Sequence, residues 1–295
     1  MSSFEGVWTA LVTPFLEDGS LDLTAFEKLI LTQVEAGIDG IVVFGTTGES
    51  PTLSVQEKLS LVKKAKAVAG DKIRIMAGSG GNNTAQTVEL SKLCIDAGAD
   101  SLLVVTPPYN KPGLNGLVAH YKAVSDSVDA PIMLYHVPSR TGAFIPSEVM
   151  IKVLENKQIE AVKEASGDLN YFSKIAMSTN AMMLSGDDFT FLPTLAVGGK
   201  GVVSVISNIF PKEVVEMHHA FKAGDIQKAN KIHNALFPFA ELLFKEPNPA
   251  PAKAALFIEG ICQKGLRLPL TEVMDSTYNE IKEALVRTKE KLASI

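Results

Sequence analysis

The sequence predicts a (β/α)8 barrel, in which eight parallel strands are closed by a ring of helices. Eight short runs rich in apolar and β-branched residues occur between residues 7 and 207, and longer segments with helical spacing separate them. Parallel neighbours need crossover connections, which are usually helices, so this alternation favours a parallel sheet. An open doubly wound sheet usually has fewer strands and a glycine-rich turn after the first, whereas the first run here ends in "VTPF". The barrel is therefore the predicted fold class.

The predicted elements divide the chain into two parts. The strands are predicted at residues 7–15, 40–45, 74–80, 101–108, 131–137, 159–166, 182–188 and 201–207. One intervening helix should begin near Asp22 or Thr24 and end at Gly37, and the next should begin at Ser54 and end at Gly70. After residue 224 the pattern is helical only. We therefore expect a catalytic barrel over residues 1–224 and an appended helical segment over residues 225–295.

Composition and charge argue against several classes of protein. The chain has 295 residues, a formal net charge of −5 and no long basic run, so binding to nucleic acid or an anionic membrane is not indicated. Its two cysteines, Cys94 and Cys262, lie far apart, which argues against a disulfide framework and for a reducing compartment. The start "MSSFEGVWTALVTPF" lacks the features of a signal peptide, and no apolar stretch approaches ~18 residues. We expect a soluble cytoplasmic protein.

Lys163 gives the clearest indication of chemistry. In "IEAVKEASGD", a strand period of two places Ala161, Lys163 and Ala165 on one face, which should point into the barrel. The two alanines leave room around the lysine. A buried ammonium is costly, so such a lysine is either paired with an inward carboxylate or shifted toward the neutral amine. A neutral amine could attack a carbonyl and form a Schiff base, which is the interpretation we favour.

Two further strand ends carry polar residues suited to a small carboxylate substrate. Active sites of such barrels lie at the carboxyl ends of the strands. "GTTGES", residues 45–50, offers two hydroxyls and accessible backbone N–H groups, although a simple turn with capping hydroxyls fits equally well. "YHVPSRTG" offers Tyr135 as a proton shuttle and Arg140 as a carboxylate fork; a core tyrosine and a surface arginine are the alternatives. His136 should face the helices as a packed or hydrogen-bonded residue.

The remaining motifs are weaker indications. The prolines of "TPPYNKPG" should stiffen that loop and hold Tyr109 away from its own barrel, as for contact with another subunit. The adjacent His218 and His219 cannot face one metal ion, and no H-E-x-x-H or cysteine cluster occurs, so a metal site is not expected. Asp187 and Asp188 could hold magnesium, although loop carboxylates more often cap backbone or face solvent.

Taken together, the motifs resemble one family. "GTTGES", "TPPYNKP", "YHVPSRTG", "VKEASGD" and "LSGDD" occur in the order and spacing of the dihydrodipicolinate synthase family, among the pyruvate-dependent Schiff-base aldolases, and "EPNPAPAKAAL" resembles a further family stretch. The resemblance implies that Lys163 forms an imine with pyruvate, and that the derived enamine attacks L-aspartate 4-semialdehyde. The product would be 4-hydroxy-tetrahydrodipicolinate, in the committing step of diaminopimelate and lysine synthesis. Neither a metal nor an organic cofactor would be needed.

The resemblance also implies roles for individual residues. Besides Lys163, the catalytic group would be Tyr135 as the proton shuttle, with Thr46 and Tyr109 as its relay partners. In this family the tyrosine matched by Tyr109 comes from a neighbouring subunit, which implies a homo-oligomer, usually a homotetramer built as a dimer of dimers.

A second group would bind substrate. By motif position, Thr47 would hold the pyruvate carboxylate and Arg140 would position the semialdehyde carboxylate. Gly186 and Val203 match backbone positions that line the pocket, where Val203 replaces a common isoleucine.

The departures from the family pattern concern regulation by lysine. Ser50 and Asn82 are retained, but other positions of the lysine-binding interface have changed, and these hold Val55, Lys58, Gln86 and Pro108. Lys58 would place a positive charge against a cationic ligand, and Gln86 removes a countercharge. We therefore expect weak inhibition or none by L-lysine.

Two alternative functions remain open at this level. A related aldolase acting on a 2-keto sugar acid, such as a sialic acid lyase or a ketodeoxygluconate aldolase, would share Lys163 and Tyr135 but should differ around Thr47 and Arg140. A non-catalytic barrel that serves as a binding protein would not need these polar strand ends.

Overall fold

The predicted barrel is confirmed. A computed structural model describes residues 4–295, and its eight strands form a closed parallel barrel in sequence order, with β1 also paired to β8. The strands are β1 Gly6–Ala10, β2 Gly40–Val43, β3 Arg74–Gly78, β4 Ser101–Val105, β5 Ile132–His136, β6 Ile159–Glu164, β7 Met182–Ser185 and β8 Gly201–Ser204. Several strands end earlier than predicted, and β4 ends at Val105, just before Pro107 and Pro108, which have no N–H to donate to a ladder.

The helices lie outside the barrel, and their predicted ends are confirmed where ends were predicted. They are α1 Leu23–Ala36, α2 Val55–Ala69, α3 Thr84–Asp96, α4 Leu114–Ser125, α5 Pro138–Thr141, α6 Ser147–Val153, α7 Leu169–Ser178, α8 Phe191–Ala196, α9 Pro211–Lys222, α10 Ile226–Leu242, α11 Ala250–Ile258 and α12 Asp275–Ala293. Asp22 caps α1 by accepting from the N–H groups of Thr24 and Ala25. Ser54 and Glu57 form a capping box at the start of α2.

The barrel interior is filled toward the amino ends of the strands and open toward their carboxyl ends. Trp8 of β1 is fully buried, and a β-carbon at Gly40 of β2 would lie 2.4 Å from its indole ring. Glycine is therefore required opposite the indole. Two residues nearer the carboxyl ends of the same strands, the small Ala10 and Val42 line an open cavity. The tryptophan thus forms a floor under the carboxyl ends of the strands.

His136 lies on the face of β5 that points out of the barrel toward the helices. Its Nε2 accepts from the Ile145 N–H at 3.1 Å, so Nδ1 carries the proton and donates to Glu164 at 3.1 Å. Glu164 also accepts from the Ser166 N–H at 2.8 Å. His136 is fully buried between barrel and helices, which confirms the prediction that it packs away from the barrel interior.

The last three helices lie beside the barrel. Helix α10 packs against α9, and α12 packs against both α10 and α11. The connection between α10 and α11 brings Asn248 to the open end of the barrel, where it contacts the loop after β2. Within residues 4–295, no helix is both long enough and apolar enough to cross a bilayer.

Candidate active site

A cavity of about 360 Å³ opens at the carboxyl ends of the strands and gathers most of the predicted site residues. The cavity is lined by residues from several loops and strands. The predicted site residues in this lining are Thr46, Thr47, Tyr135, Arg140, Lys163 and Gly186. Residues from separate motifs therefore meet in one place, as the strand-end rule predicted.

Lys163 lies in the wall of this cavity as a buried amine. Its side chain is only 6% exposed, and Nζ lies 4.2 Å from the centroid of the Tyr135 ring. Within residues 4–295 it has no ion-pair partner. Burial lowers the pKa of Lys163 to about 8, although the more distant Asp187 and Asp188 act in the opposite direction. This environment favours the amine nucleophile over the ion-paired lysine that we kept as an alternative.

Small residues surround the lysine. Ala161 is fully buried on the same strand, and Ala165 packs against Gly186 of the next loop. A β-carbon at Gly186 would lie 2.6 Å from the β-carbon of Ala165, and the Gly186 N–H donates to the Glu164 carbonyl at 2.6 Å. The close approach of these two loops requires glycine and leaves the space beside Nζ open.

The "GTTGES" turn places its two threonines against different partners. The Gly48 N–H donates to the Gly45 carbonyl and the Glu49 N–H to the Thr46 carbonyl, each at 3.1 Å. Thr46 lies beside the Tyr135 phenol in the cavity lining. Thr47 is buried, and its Oγ1 accepts from Asn248 Nδ2 at 2.9 Å.

Tyr135 is buried beside the amine. Burial raises the pKa of its phenol above the ordinary value, and the nearby Arg140 guanidinium and Thr46 hydroxyl only partly offset this. The phenol is therefore protonated at neutral pH and can donate a proton to a neighbouring group. Its ring lies opposite Lys163 in the β5–β6 pairing, so the hydroxyl and the amine share one end of the barrel.

Arg140 stands at the mouth of the cavity. It belongs to α5, a single helical turn that begins at Pro138, where the fixed backbone angle of proline suits a helix start. The residue is exposed, and it lines both this cavity and an adjoining one of about 620 Å³. A guanidinium in this position can meet an incoming carboxylate before it reaches Lys163.

Two predicted residues lie away from the cavity lining. Tyr109 is 89% exposed in the loop after β4, with a positive φ of 69°, and it points away from its own barrel as predicted. Val203 lies within β8, fully buried and opposite Trp8, one step below Val205. Val205 rather than Val203 is among the residues that line the cavity.

The paired aspartates have separate surroundings. Asp188 is buried, and its Oδ2 accepts from the N–H groups of Val205 and Ile206 at 3.0 Å each, so it caps the loop after β8. Asp187 lines the cavity, where burial raises the pKa of its carboxyl to about 6. Within residues 4–295, no three His, Cys, Asp or Glu side chains are grouped as metal ligands.

The positions matched to a lysine-binding interface adjoin the site. The larger cavity is lined by residues that include five of them, namely Ser50, Lys58, Asn82, Gln86 and Pro108, and also by Thr46 and Arg140. Val55 lies outside this lining, exposed at the start of α2. Weak inhibition by L-lysine stays a prediction.

The sequence reasoning missed the residues that brace the "GTTGES" turn from the C-terminal helices. Asn248 contacts Thr47, and Lys253 of α11 forms a buried ion pair with Glu49 at 2.5 Å. "EPNPAPAKAAL" contains both Asn248 and Lys253, and its resemblance to a family stretch was the available signal. This stretch does not follow a strand, so the rule that active sites lie at strand ends did not predict a role for its residues.

Comparison with known proteins gives a consistent result along the whole chain. Residues 3–288 match the Dihydrodipicolinate synthetase family. A relative from Thermosipho africanus, named 4-hydroxy-tetrahydrodipicolinate synthase, is 44% identical over 287 residues, which cover 96% of this chain and 98% of the relative. The crystal structure of dihydrodipicolinate synthase from Aquifex aeolicus matches with a TM-score of 0.94 and 41% identity, over 97% of this chain and 98% of that one.

A third comparison concerns a structure that contains pyruvate. The chloride-inhibited dihydrodipicolinate synthase from Acinetobacter baumannii, complexed with pyruvate, is 38% identical to this chain. It matches with a TM-score of 0.94, over 97% of this chain and 99% of that one.

Proposed function

This chain belongs to the dihydrodipicolinate synthetase family, and we propose that it acts as a 4-hydroxy-tetrahydrodipicolinate synthase, with Lys163 as the Schiff-base nucleophile. It is an enzyme of the lyase class, and its substrates would be pyruvate and L-aspartate 4-semialdehyde. The observation that carries the proposal is the buried Lys163 amine, whose pKa is lowered and which opens onto a polar cavity. An amine with a lowered pKa is suited to attack a carbonyl.

The first stage joins the amine to pyruvate. The neutral Nζ attacks C2, the carbonyl oxygen takes a proton from the Tyr135 phenol, and the resulting carbinolamine loses water to give a protonated imine. Thr46, beside the phenol in the cavity lining, would link it to a relay through which the proton returns. The buried Thr47 hydroxyl and nearby backbone N–H groups would hold the pyruvate carboxylate.

The second stage forms the new carbon–carbon bond. The protonated imine draws electrons from the C3 methyl, which loses a proton to the relay of Tyr135 and Thr46 and so gives an enamine. The enamine carbon attacks the aldehyde of the semialdehyde, whose oxygen takes that proton back and whose carboxylate Arg140 would hold at the mouth. The amino group of the second substrate then attacks C2, which closes the ring and frees Lys163. The iminium is the electron sink throughout, so the proposed chemistry uses no cofactor and no metal.

The arrangement of Tyr109 supports an assembly. An aromatic side chain that is 89% exposed on a proline-stiffened loop is suited to contact a second copy, where it would join the relay of Thr46 and Tyr135. We propose a homo-oligomer, with a homotetramer as the expected form, acting in the cytoplasm without nucleic acid or membrane partners. Gly186 and Val203 remain proposed pocket positions, the latter from within β8.

The test combines trapping with a substrate comparison. Borohydride reduction in the presence of pyruvate should leave a reduced pyruvyl group, a carboxyethyl substituent, on Nζ of Lys163, located by peptide mass analysis. The protein should then condense pyruvate with aspartate semialdehyde and should not cleave 2-keto sugar acids. Absence of the adduct would refute the Schiff-base mechanism. An adduct accompanied by preferential sugar-acid cleavage would instead support the related lyase.

Tyr135→Phe is expected to retain pyruvate binding and to lose most turnover. The ring that packs over Lys163 remains, but the proton donor is removed, and general acid–base catalysis is worth roughly 10²–10⁴-fold. Steady-state kcat and the yield of the borohydride adduct at saturating pyruvate measure the two effects. Thr141→Ser, which keeps a hydroxyl in the short helix that follows β5, serves as the control, and a near-normal kcat in Tyr135→Phe would remove the tyrosine from the shuttle.

A further inference from the structure

We infer that Asn248 is a positioning residue for the pyruvate subsite, which it serves by orienting the hydroxyl of Thr47. The inference rests on the proposed function and assigns part of that site to the C-terminal helical segment. The observations that carry it are a buried hydrogen bond, a buried oxygen without a partner and a brace on the same turn.

The hydrogen bond fixes the direction of the Thr47 hydroxyl. Asn248 is 5% exposed and Thr47 is 3% exposed, and Nδ2 of the amide donates to Oγ1 at 2.9 Å. Both residues line the cavity that contains Lys163. A threonine hydroxyl has one hydrogen to donate. Because Oγ1 accepts from Asn248, that hydrogen is left for another acceptor, and a substrate carboxylate in the cavity would supply one.

The other half of the amide is also informative. Asn248 Oδ1 is buried and has no hydrogen-bond partner within residues 4–295. Buried amide oxygens are normally paired, because an unpaired one loses its contacts with water without compensation. The amide is therefore placed for its contact with Thr47, while its oxygen remains free to accept from a donor that enters the cavity.

A second contact braces the same turn from the same segment. Lys253, one turn after Pro249 in α11, donates its backbone N–H to the Pro249 carbonyl at 2.9 Å, and its Nζ pairs with Glu49 at 2.5 Å. Glu49 follows Thr47 by two residues. The C-terminal helices thus hold the turn at two points, one of which is the hydroxyl that would meet pyruvate.

The test compares the effect of each variant on the KM for pyruvate with its effect on the KM for the second substrate. Asn248→Ala should raise the KM for pyruvate roughly tenfold, as expected when a hydrogen bond to a charged group is weakened, and should leave the KM for aspartate semialdehyde within about twofold. Asn248→Asp, nearly isosteric, should raise the pyruvate KM further, because a carboxylate draws the Thr47 hydrogen to itself and repels the substrate. Both variants should still form the borohydride adduct at saturating pyruvate.

Two further variants make the outcome decisive. In a double-mutant cycle, Asn248→Ala should add little to the pyruvate KM of Thr47→Val, because both remove the same interaction. Asn156→Ala removes an amide donor to Ser125 outside the active-site cavity, and should leave the pyruvate KM unchanged.

Three results would overturn the inference: an unchanged pyruvate KM in Asn248→Ala, equal rises in both KM values, or additive effects with Thr47→Val. If Asn248→Ala does not fold, Asn248→Asp gives the same comparison. Failure of the wild-type protein to form an adduct would instead count against the proposed function, so the two failures are distinguishable.

Discussion

Lys163→Ala is expected to abolish synthase activity while the barrel still folds. Loss of a covalent nucleophile should lower kcat by roughly 10⁴-fold or more, in the range seen when other enzymes lose theirs. The cavity wall beside it already consists of small residues, so the truncated side chain leaves space that joins the open cavity. Activity, borohydride trapping and thermal unfolding of the same preparation measure the outcome.

The stability of Lys163→Ala should equal or exceed that of the wild type near neutral pH. The folded-state pKa of about 8 lies below the ordinary value of 10.5, so protonation favours the unfolded chain. This cost is fully present below pH 8, diminishes between pH 8 and about 10.5, and amounts to about 3 kcal/mol at pH 7. Removing the amine removes the cost, although lost packing offsets part of the gain.

The same pKa predicts the pH dependence of imine formation in the wild type. Only the neutral amine attacks, so the initial trapping rate at low pyruvate should fall about tenfold for each pH unit below 8 and level off above it. A rate that stays constant down to about pH 6 would contradict a lowered pKa near 8.

Two controls distinguish chemistry from disruption. Lys163→Arg keeps a cation in the same strand but cannot form an imine at neutral pH, and it should also be inactive. Lys174→Ala, on the exposed face of α7, should change neither trapping nor turnover. An adduct that persists in folded Lys163→Ala would mean that another amine is the nucleophile.

The barrel and the inward direction of Lys163 were predictable because both depend on local patterns. The period of two along residues 159–166 fixes which face each side chain takes, and the alternation with helices fixes parallel pairing. The same reasoning placed Tyr135 inside and His136 outside, as observed. These inferences need no knowledge of which distant residues meet.

The position of a residue along the barrel axis was less predictable than the direction in which its side chain points. Val203 and Val205 share a face, and which of them reaches the cavity depends on the stagger between neighbouring strands as the barrel closes. Strand periodicity carries no information on that stagger. The contact between Asn248 and Thr47 joins residues 201 positions apart, and an asparagine beside a proline reads locally as a turn residue.

The buried pair formed by Glu49 and Lys253 gives the second large prediction, which concerns stability. Both side chains are completely buried, their charged atoms are 2.5 Å apart, and Lys253 Nζ also donates to the Gly265 carbonyl at 2.9 Å. The ammonium lies 4.1 Å from the centroid of the Phe15 ring. Glu49 in turn accepts a hydrogen bond from the backbone N–H of Arg267 at 3.1 Å. Several segments of the chain therefore converge on one ion pair.

Lys253→Met is expected to lower the free energy of unfolding by about 3–5 kcal/mol, because the buried Glu49 carboxylate loses the ammonium with which it is paired. Glu49→Gln in the same chain should restore a large part of this, since a neutral amide costs less to bury and replacing both charges is often nearly neutral. Denaturant unfolding of the single and double variants measures the difference, with trapping by pyruvate as a readout for the turn that carries Thr47.

An exposed pair provides the matched control. Lys245 and Glu280 are 2.6 Å apart, but both side chains are nearly half exposed, so Lys245→Met should cost at most about 1 kcal/mol. A similar small cost for Lys253→Met would contradict the proposed brace, as would a double variant no more stable than the single one. If the brace is correct, Lys253→Met should also weaken pyruvate binding, because Glu49 and Thr47 belong to one tight turn and the C-terminal helices hold both.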